Sequence, residues 1–151
     1  MGLICKQYKT NTMKIIEITR EIAIAFLLPK HYSGRKPQIT KAFGYYENNI
    51  LVAVCTFGKP ASNNLCYSVC GLEYSKNVYE LNRLCRVENI NIQLSQFVAK
   101  CLKLVSSENW IVVSYSDTAM NHNGYIYQAC NFIYTGATKE RTDPFIDGNK
   151  F

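Results

Sequence analysis

The sequence predicts an α/β or α+β sandwich built on one mixed sheet. Three observations carry that expectation. Apolar residues recur with a period near two in some segments and near 3.6 in others. A strand–helix pair is followed by a hairpin, and a later strand leads through a loop and a helix to another strand, the pattern of a parallel crossover.

Lys14 to Ile18 reads as a short strand, and Thr19 as the N-cap of a helix that carries Ile22, Ala25, Phe26 and Leu28 inward until Pro29 ends it. The loop KHYSGRKPQ follows, with Gly34 and Pro37 marking irregular backbone. AFGYY and ILVAVCTF flank Glu47-Asn48-Asn49 as a hairpin whose second strand is buried on both faces. GKPASNN is turn-rich, and the stretch from there to about Ser75 shows no decisive period. VYELNRLCR alternates, which assigns Tyr79, Leu81, Arg83 and Cys85 to one face and Glu80, Asn82, Leu84 and Arg86 to the other. Ser95 is placed to cap a helix with the apolar stripe Phe97, Val98, Cys101, Leu102 and Val105 opposite Lys100 and Lys103. NWIVVSY then reads as a strand, NGYIYQACN as a short helix and FIYTGA as a further strand.

Residues 1–151 fit one domain, with 48% hydrophobic and 19% charged residues. No apolar run approaches the roughly 20 residues that cross a bilayer. The start MGLICKQYK lacks the pattern of a signal peptide, and Lys6 stands where myristoylation needs Ser or Thr. A soluble cytoplasmic protein with no membrane partner is expected. Of seven cysteines, Cys55, Cys70, Cys85, Cys101 and Cys130 sit among apolar residues, and Cys66 and Cys70 lack zinc-knuckle spacing. Reduced core thiols follow.

The net charge of +6 is unevenly placed: no carboxylate lies between Glu21 and Glu47, while Lys30, Arg35, Lys36 and Lys41 do. Such a stretch can hold a polyanion such as DNA by releasing counterions, or it can be a solvated basic loop.

ELNRLC, VVSYSDTAMNHNGYIYQACNFIYTG and the upstream HYSGR together resemble the phage Mom family of DNA adenine modification proteins, in the same order and with similar gaps from about Lys30 to about Arg141. The resemblance implies a Gcn5-related N-acetyltransferase-like fold, with a mostly antiparallel mixed sheet flanked by helices. It also implies a phage-encoded transferase in the host cytoplasm that adds a methylcarbamoyl (acetamido) group to the exocyclic amine of adenine in DNA, shielding it from restriction. Acetyl-CoA or another small-molecule donor would supply the group. The loop before the long helix departs from ordinary acetyltransferases: VENINIQLS contains no glycine, which leaves Asn89, Asn91, Ser95 and the helix N-terminus as the candidate cofactor contacts. DPFIDGNKF reads like a strand cut short, where relatives continue further.

Arg83 has two readings, a structural ion pair with Glu80 or Asp117, or a planar fork that grips a phosphate, carboxylate or catalytic acid. His31 and Tyr32 are adjacent and form a donor pair suited to iron, though a lone loop histidine is often merely solvated. A methylcarbamoyl group attaches through a methylene carbon, so thioester acyl transfer alone does not make it, and a redox metal would supply a missing step. Ser114 and Asp117 end a strand, where Asp117 either caps a turn or orients the adenine amine. His122 reads as an exposed residue at a helix start. Tyr127 and Tyr134 are candidates for stacking a base or donating a proton, against a background of eleven tyrosines that mostly pack. Two rival functions remain: a conventional coenzyme A-dependent N-acyltransferase, and a catalytically inactive DNA-binding relative.

Overall fold

The computed structural model describes residues 13–30, 36–117 and 122–138, together with the backbone of 145–146 and 149–150. In chain order the elements are β1 (Met13–Ile18), α1 (Arg20–Leu27), β2 (Lys41–Glu47), β3 (Ile50–Gly58), α2 (Asn63–Tyr74), β4 (Val78–Arg86), α3 (Leu94–Leu104), β5 (Ile111–Val113), α4 (Tyr125–Ala129), β6 (Phe145–Ile146) and β7 (Asn149–Lys150). Strands β1 to β5 form one sheet in sequence order, and β6 pairs with β7 separately. The first four strands are antiparallel; β5 runs parallel to β4 after the α3 crossover.

The hairpin between β2 and β3 turns on Asn48 and Asn49, both left-handed at φ 50 and 65. A two-residue loop with both residues at positive φ matches the twist of the flanking strands, and asparagine tolerates that conformation. Residues Val52 to Phe57 are buried on both faces, as their apolar run implies. On one face, α3 sets Phe97, Val98 and Cys101 against Phe43, Cys55, Phe57 and Leu81. On the other, α1 sets Ala23, Phe26 and Leu27 against Ala42 and Val54.

Several sequence expectations are corrected. Thr19 does cap α1, its hydroxyl accepting from the Ile22 amide at 3.3 Å, but the helix buries Ala23, Phe26 and Leu27 and leaves Ile22 and Leu28 exposed. The buried set is itself an i, i+3, i+4 stripe, one position round from the expected one. Ser95 is not the cap of α3: the helix begins at Leu94 with Gln93 before it, and no side chain caps it. The undecided stretch before β4 holds α2, capped by Ser62 and broken at Gly71, where φ is 76. FIYTGA forms no strand: Ile133 and Tyr134 are exposed, and none of residues 132–138 pairs with another strand. A strand needs a neighbour to satisfy its backbone, and Asn131 at φ 61 turns the chain just before this segment. The six described cysteines are unbridged, as expected.

Alternation fails inside β4. Thr56 of β3 faces Arg83, but Phe57 faces Leu81, so Asn82 is an extra residue and the strand bulges there. Leu81 and Leu84 consequently share the α3 face, while Cys85 joins the α1 face. Glu80 and Arg83, assigned to opposite faces by simple alternation, both lie on the α1 face.

Candidate active site

Strand β5 pairs with β4 only through Val78–Glu80 and Ile111–Val113. Past that point β4 continues to Arg86 while the chain after β5 departs. Where a ladder bond would have come next, the Ser114 hydroxyl donates to the Leu81 carbonyl at 3.0 Å. Beyond Leu81, among the described residues, β4 has no strand beside it on that side. Such an opening between parallel strands, at their carboxyl ends, is where sheets of this type take ligands.

On the α1 face of this opening the bulge gathers Thr56, Glu80, Asn82 and Arg83. The Arg83 guanidinium donates through Nη1 to the Asn82 carbonyl at 2.7 Å, and its Nε is buried without a partner. Glu80 and Arg83 influence each other electrostatically without closing an ion pair. Burial pushes the Glu80 carboxyl above its ordinary range, and the nearby Arg83 charge pulls it partly back. The ion-pair reading of Arg83 with Glu80 is therefore not what the geometry holds. Beside them Cys85 is raised by burial and lowered in part by Lys30, which places the last described residue before the basic loop next to this face.

A carboxyl raised in the folded state costs stability once ionised, so the penalty is absent below the unfolded pKa and grows as pH rises through the folded value. Glu80→Gln is expected to raise the melting temperature by a few degrees at neutral pH, with the gap closing below about pH 4. A gap of the same size at both pH values would show that the carboxyl is not strained by burial.

The other candidate residues are distributed as follows. Asp117 is exposed, and its carbonyl accepts from the His122 amide at 3.1 Å; the Ser116 hydroxyl donates to the His122 carbonyl. These bonds bring the two sides of the loop together just past the strand end. Tyr127, on α4, is half-buried and meets Phe132 edge-on at 5.4 Å. Tyr134 is 82% exposed. Asn89 is exposed and left-handed at φ 63, and Asn91 is exposed. The Ser95 carbonyl accepts from the Cys130 thiol at 3.2 Å. The loop before α3 is shaped by the Arg86 guanidinium, which donates to the Ile90 carbonyl at 3.2 Å. No acidic residue sits in the first turn of α3.

Among the basic residues, Lys30 lies over the Phe26 ring at 4.5 Å and Lys36 is exposed. Lys41 pairs with Glu108 at 2.7 Å, and that hydrogen bond raises its pKa. Phe43 and Phe57 beside it belong to the α3 face, so Lys41 is not brought together with Arg83. His31, Tyr32 and Arg35 lie outside the described residues. Among the described residues no three His, Cys, Asp or Glu side chains are grouped to hold a metal. An open cleft of 860 Å³ lined by Lys59, Tyr67, Lys76 and Tyr79 lies at the opposite end of β4, away from the Arg83 group.

Sequence reasoning missed Thr56 and Asn82 and misplaced Glu80. A signal was present: asparagine is disfavoured within strands, and Asn82 interrupts an otherwise strand-like run. Thr56 was the one hydroxyl in an apolar strand.

The fold is matched by the solved structure of an aminoglycoside N-acetyltransferase AAC(6')-Iy in complex with CoA, at a TM-score of 0.62 and 12% identity over 90% of this chain and 97% of that one. The arrangement of sheet and helices is thus similar to that of this acetyltransferase. Among curated proteins, none matches the chain. No described helix is long and apolar enough to cross a membrane. The profile of the Mom protein family matches residues 12–151, almost the whole sequence, and the chain therefore belongs to that family.

Proposed function

We propose that this protein is a DNA-modifying transferase that adds a methylcarbamoyl group to the exocyclic amine of adenine, protecting phage DNA from restriction. The observation that supports the reading is Arg83, in no ion pair, on β4 beyond its last pairing with β5, in an acetyltransferase-like fold of a Mom family member. The target amine is tied up in base pairing, so the base must leave the stack to reach a sheet opening.

In this reading the Arg83 fork holds an anionic group of the donor or of the DNA, and Asp117, in the loop that follows β5, orients the amine. Ser114 fixes the edge of the opening through its bond to Leu81. Tyr134, exposed beyond α4, offers a ring for the displaced base, and Tyr127 supports that segment. Lys30 and Lys36 would contact the phosphate backbone, and Arg35, outside the described residues, is the further candidate for that role, whereas Lys41 is already engaged by Glu108. The coenzyme A of the structural neighbour suggests a CoA-type small molecule as a source of the acyl unit, and acyl transfer by itself would not complete a group joined through its methylene carbon. The N-terminus of α3, with Asn89, Asn91 and Ser95 around it, would receive the donor's phosphates through backbone amides. His31 and Tyr32 would contribute to any iron site, which the described residues do not complete by themselves. A conventional N-acyltransferase is the second reading, favoured by the fold of the neighbour.

The test uses DNA from cells that express the protein. Resistance of that DNA to endonucleases that need unmodified adenine in their sites, with unaltered cutting at sites lacking adenine, is the expected result. Full sensitivity at both kinds of site would overturn the proposal.

A further inference from the structure

Thr56 and Asn82 take no part in the chemistry read above, yet they surround Arg83. Thr56 is fully buried, in a strand whose other core positions are Val, Ala, Cys and Phe. Its hydroxyl donates to Asn82 Oδ1 at 2.6 Å. The Asn82 side-chain amide donates to the Gln38 carbonyl at 2.7 Å, and the Asn82 backbone carbonyl accepts from Arg83 Nη1 at 2.7 Å. Three polar groups of the bulge residue are therefore committed, one to β3, one to the chain entering β2 and one to Arg83.

Nothing about packing demands a hydroxyl at Thr56; valine would fill the same volume. What the hydroxyl does is tie down the extra residue of β4, and a bulge that is tied down aims the next side chain. Arg83 is fixed here by a neutral carbonyl, and its Nε has no partner. A carbonyl orients a guanidinium without neutralising it, so the charge remains for an anionic ligand. A carboxylate in the same place would hold the fork but quench it.

We propose that Thr56 and Asn82 are positioning residues for Arg83: the Thr56–Asn82 hydrogen bond sets the β4 bulge, and the bulge carbonyl aims the guanidinium into the opening between β4 and β5. This inference rests on the DNA-modification reading for its effect on activity, but not for its effect on Arg83 itself. Two readouts separate them: modified adenine in DNA from expressing cells, and the rate at which phenylglyoxal labels Arg83 in the purified protein, followed by peptide mass spectrometry.

Thr56→Val removes the hydroxyl at constant shape, Thr56→Ser keeps it, and Asn82→Asp removes the donor to Gln38 while placing a charge beside Arg83. In Thr56→Val, modified adenine is expected to fall about tenfold or more, since small misplacements of a catalytic group are costly. Arg83 labelling should change by a similar factor, while the melting temperature drops only by roughly 2–4 °C. Thr56→Ser should stay within about twofold of the wild type in both readouts, because its hydroxyl can make the same bond. Asn82→Asp should lose modification too, and it serves if Thr56→Val does not fold. Wild-type labelling and modification in both Thr56→Val and Asn82→Asp would overturn the proposal. A labelling response with no modified adenine even in the wild type would uphold the positioning role and sink the functional reading instead.

Discussion

Arg83→Lys is expected to reduce adenine modification to background as completely as Arg83→Ala does, a loss of at least about a hundredfold in modified adenine. Lysine keeps the charge but not the planar fork. The present geometry uses that fork: Nη1 is held by the Asn82 carbonyl while Nε stays buried beside it. An ammonium held by the Asn82 carbonyl has no second, coplanar nitrogen with which to grip an anion in a bidentate way. Arg83→Ala removes the charge as well, and leaves the half-buried Glu80 carboxyl without the neighbour that holds its pKa down. Near wild-type modification by Arg83→Lys would mean that only charge matters at this position, and the argument from fork geometry would fail.

The second large effect is on stability. A methyl group at Gly58 would sit 1.9 Å from the Gln38 carbonyl oxygen and 2.9 Å from the Asn82 side-chain nitrogen. Backbone cannot yield as a flexible side chain does, so the chain entering β2 would have to lift off the end of β3. That movement breaks the Asn82–Gln38 bond and strains the Thr40–Phe57 backbone bond of 2.7 Å next to it. Gly58→Ala is therefore expected to destabilise the fold by about 3 kcal/mol or more, lowering the melting temperature by roughly 10 °C. Thermal unfolding followed by circular dichroism measures it. A shift of less than about 2 °C, roughly 0.6 kcal/mol by the same conversion, would show that the close approach is relieved cheaply.

Much of the fold can be read directly from residue pattern, and the exceptions have physical causes. The run from Val52 to Phe57 could be nothing but a strand buried on both faces, and paired asparagines announced its hairpin. The stripe of α3 is equally plain, with Phe97, Val98 and Cys101 all buried. The bulge in β4 was not legible, because register belongs to a pair of strands: it depends on Thr56 across the ladder as much as on Asn82. Helix α2 lacked a clear period because it buries only Cys66 and leaves Tyr67, Leu72 and Tyr74 exposed. FIYTGA has strand composition but no partner among the described residues, and composition alone does not supply one. At the site, Arg83 stood out as a guanidinium on an apolar strand. Glu80 was named as a partner for Arg83 but put on the opposite face by the assumption of strict alternation, and Thr56 was hidden by its resemblance to an ordinary β-branched core residue.

The proposed modification of adenine in DNA by this Mom family member runs through Arg83 beside the opening between β4 and β5. The most direct measurement is nucleoside mass spectrometry on DNA digested from cells expressing the wild type or Arg83→Lys, with both proteins present at equal levels. A methylcarbamoyl-adenine nucleoside is expected with the wild type and none above background with Arg83→Lys. Adenine left unmodified by the wild type, or modified equally by both, would contradict it.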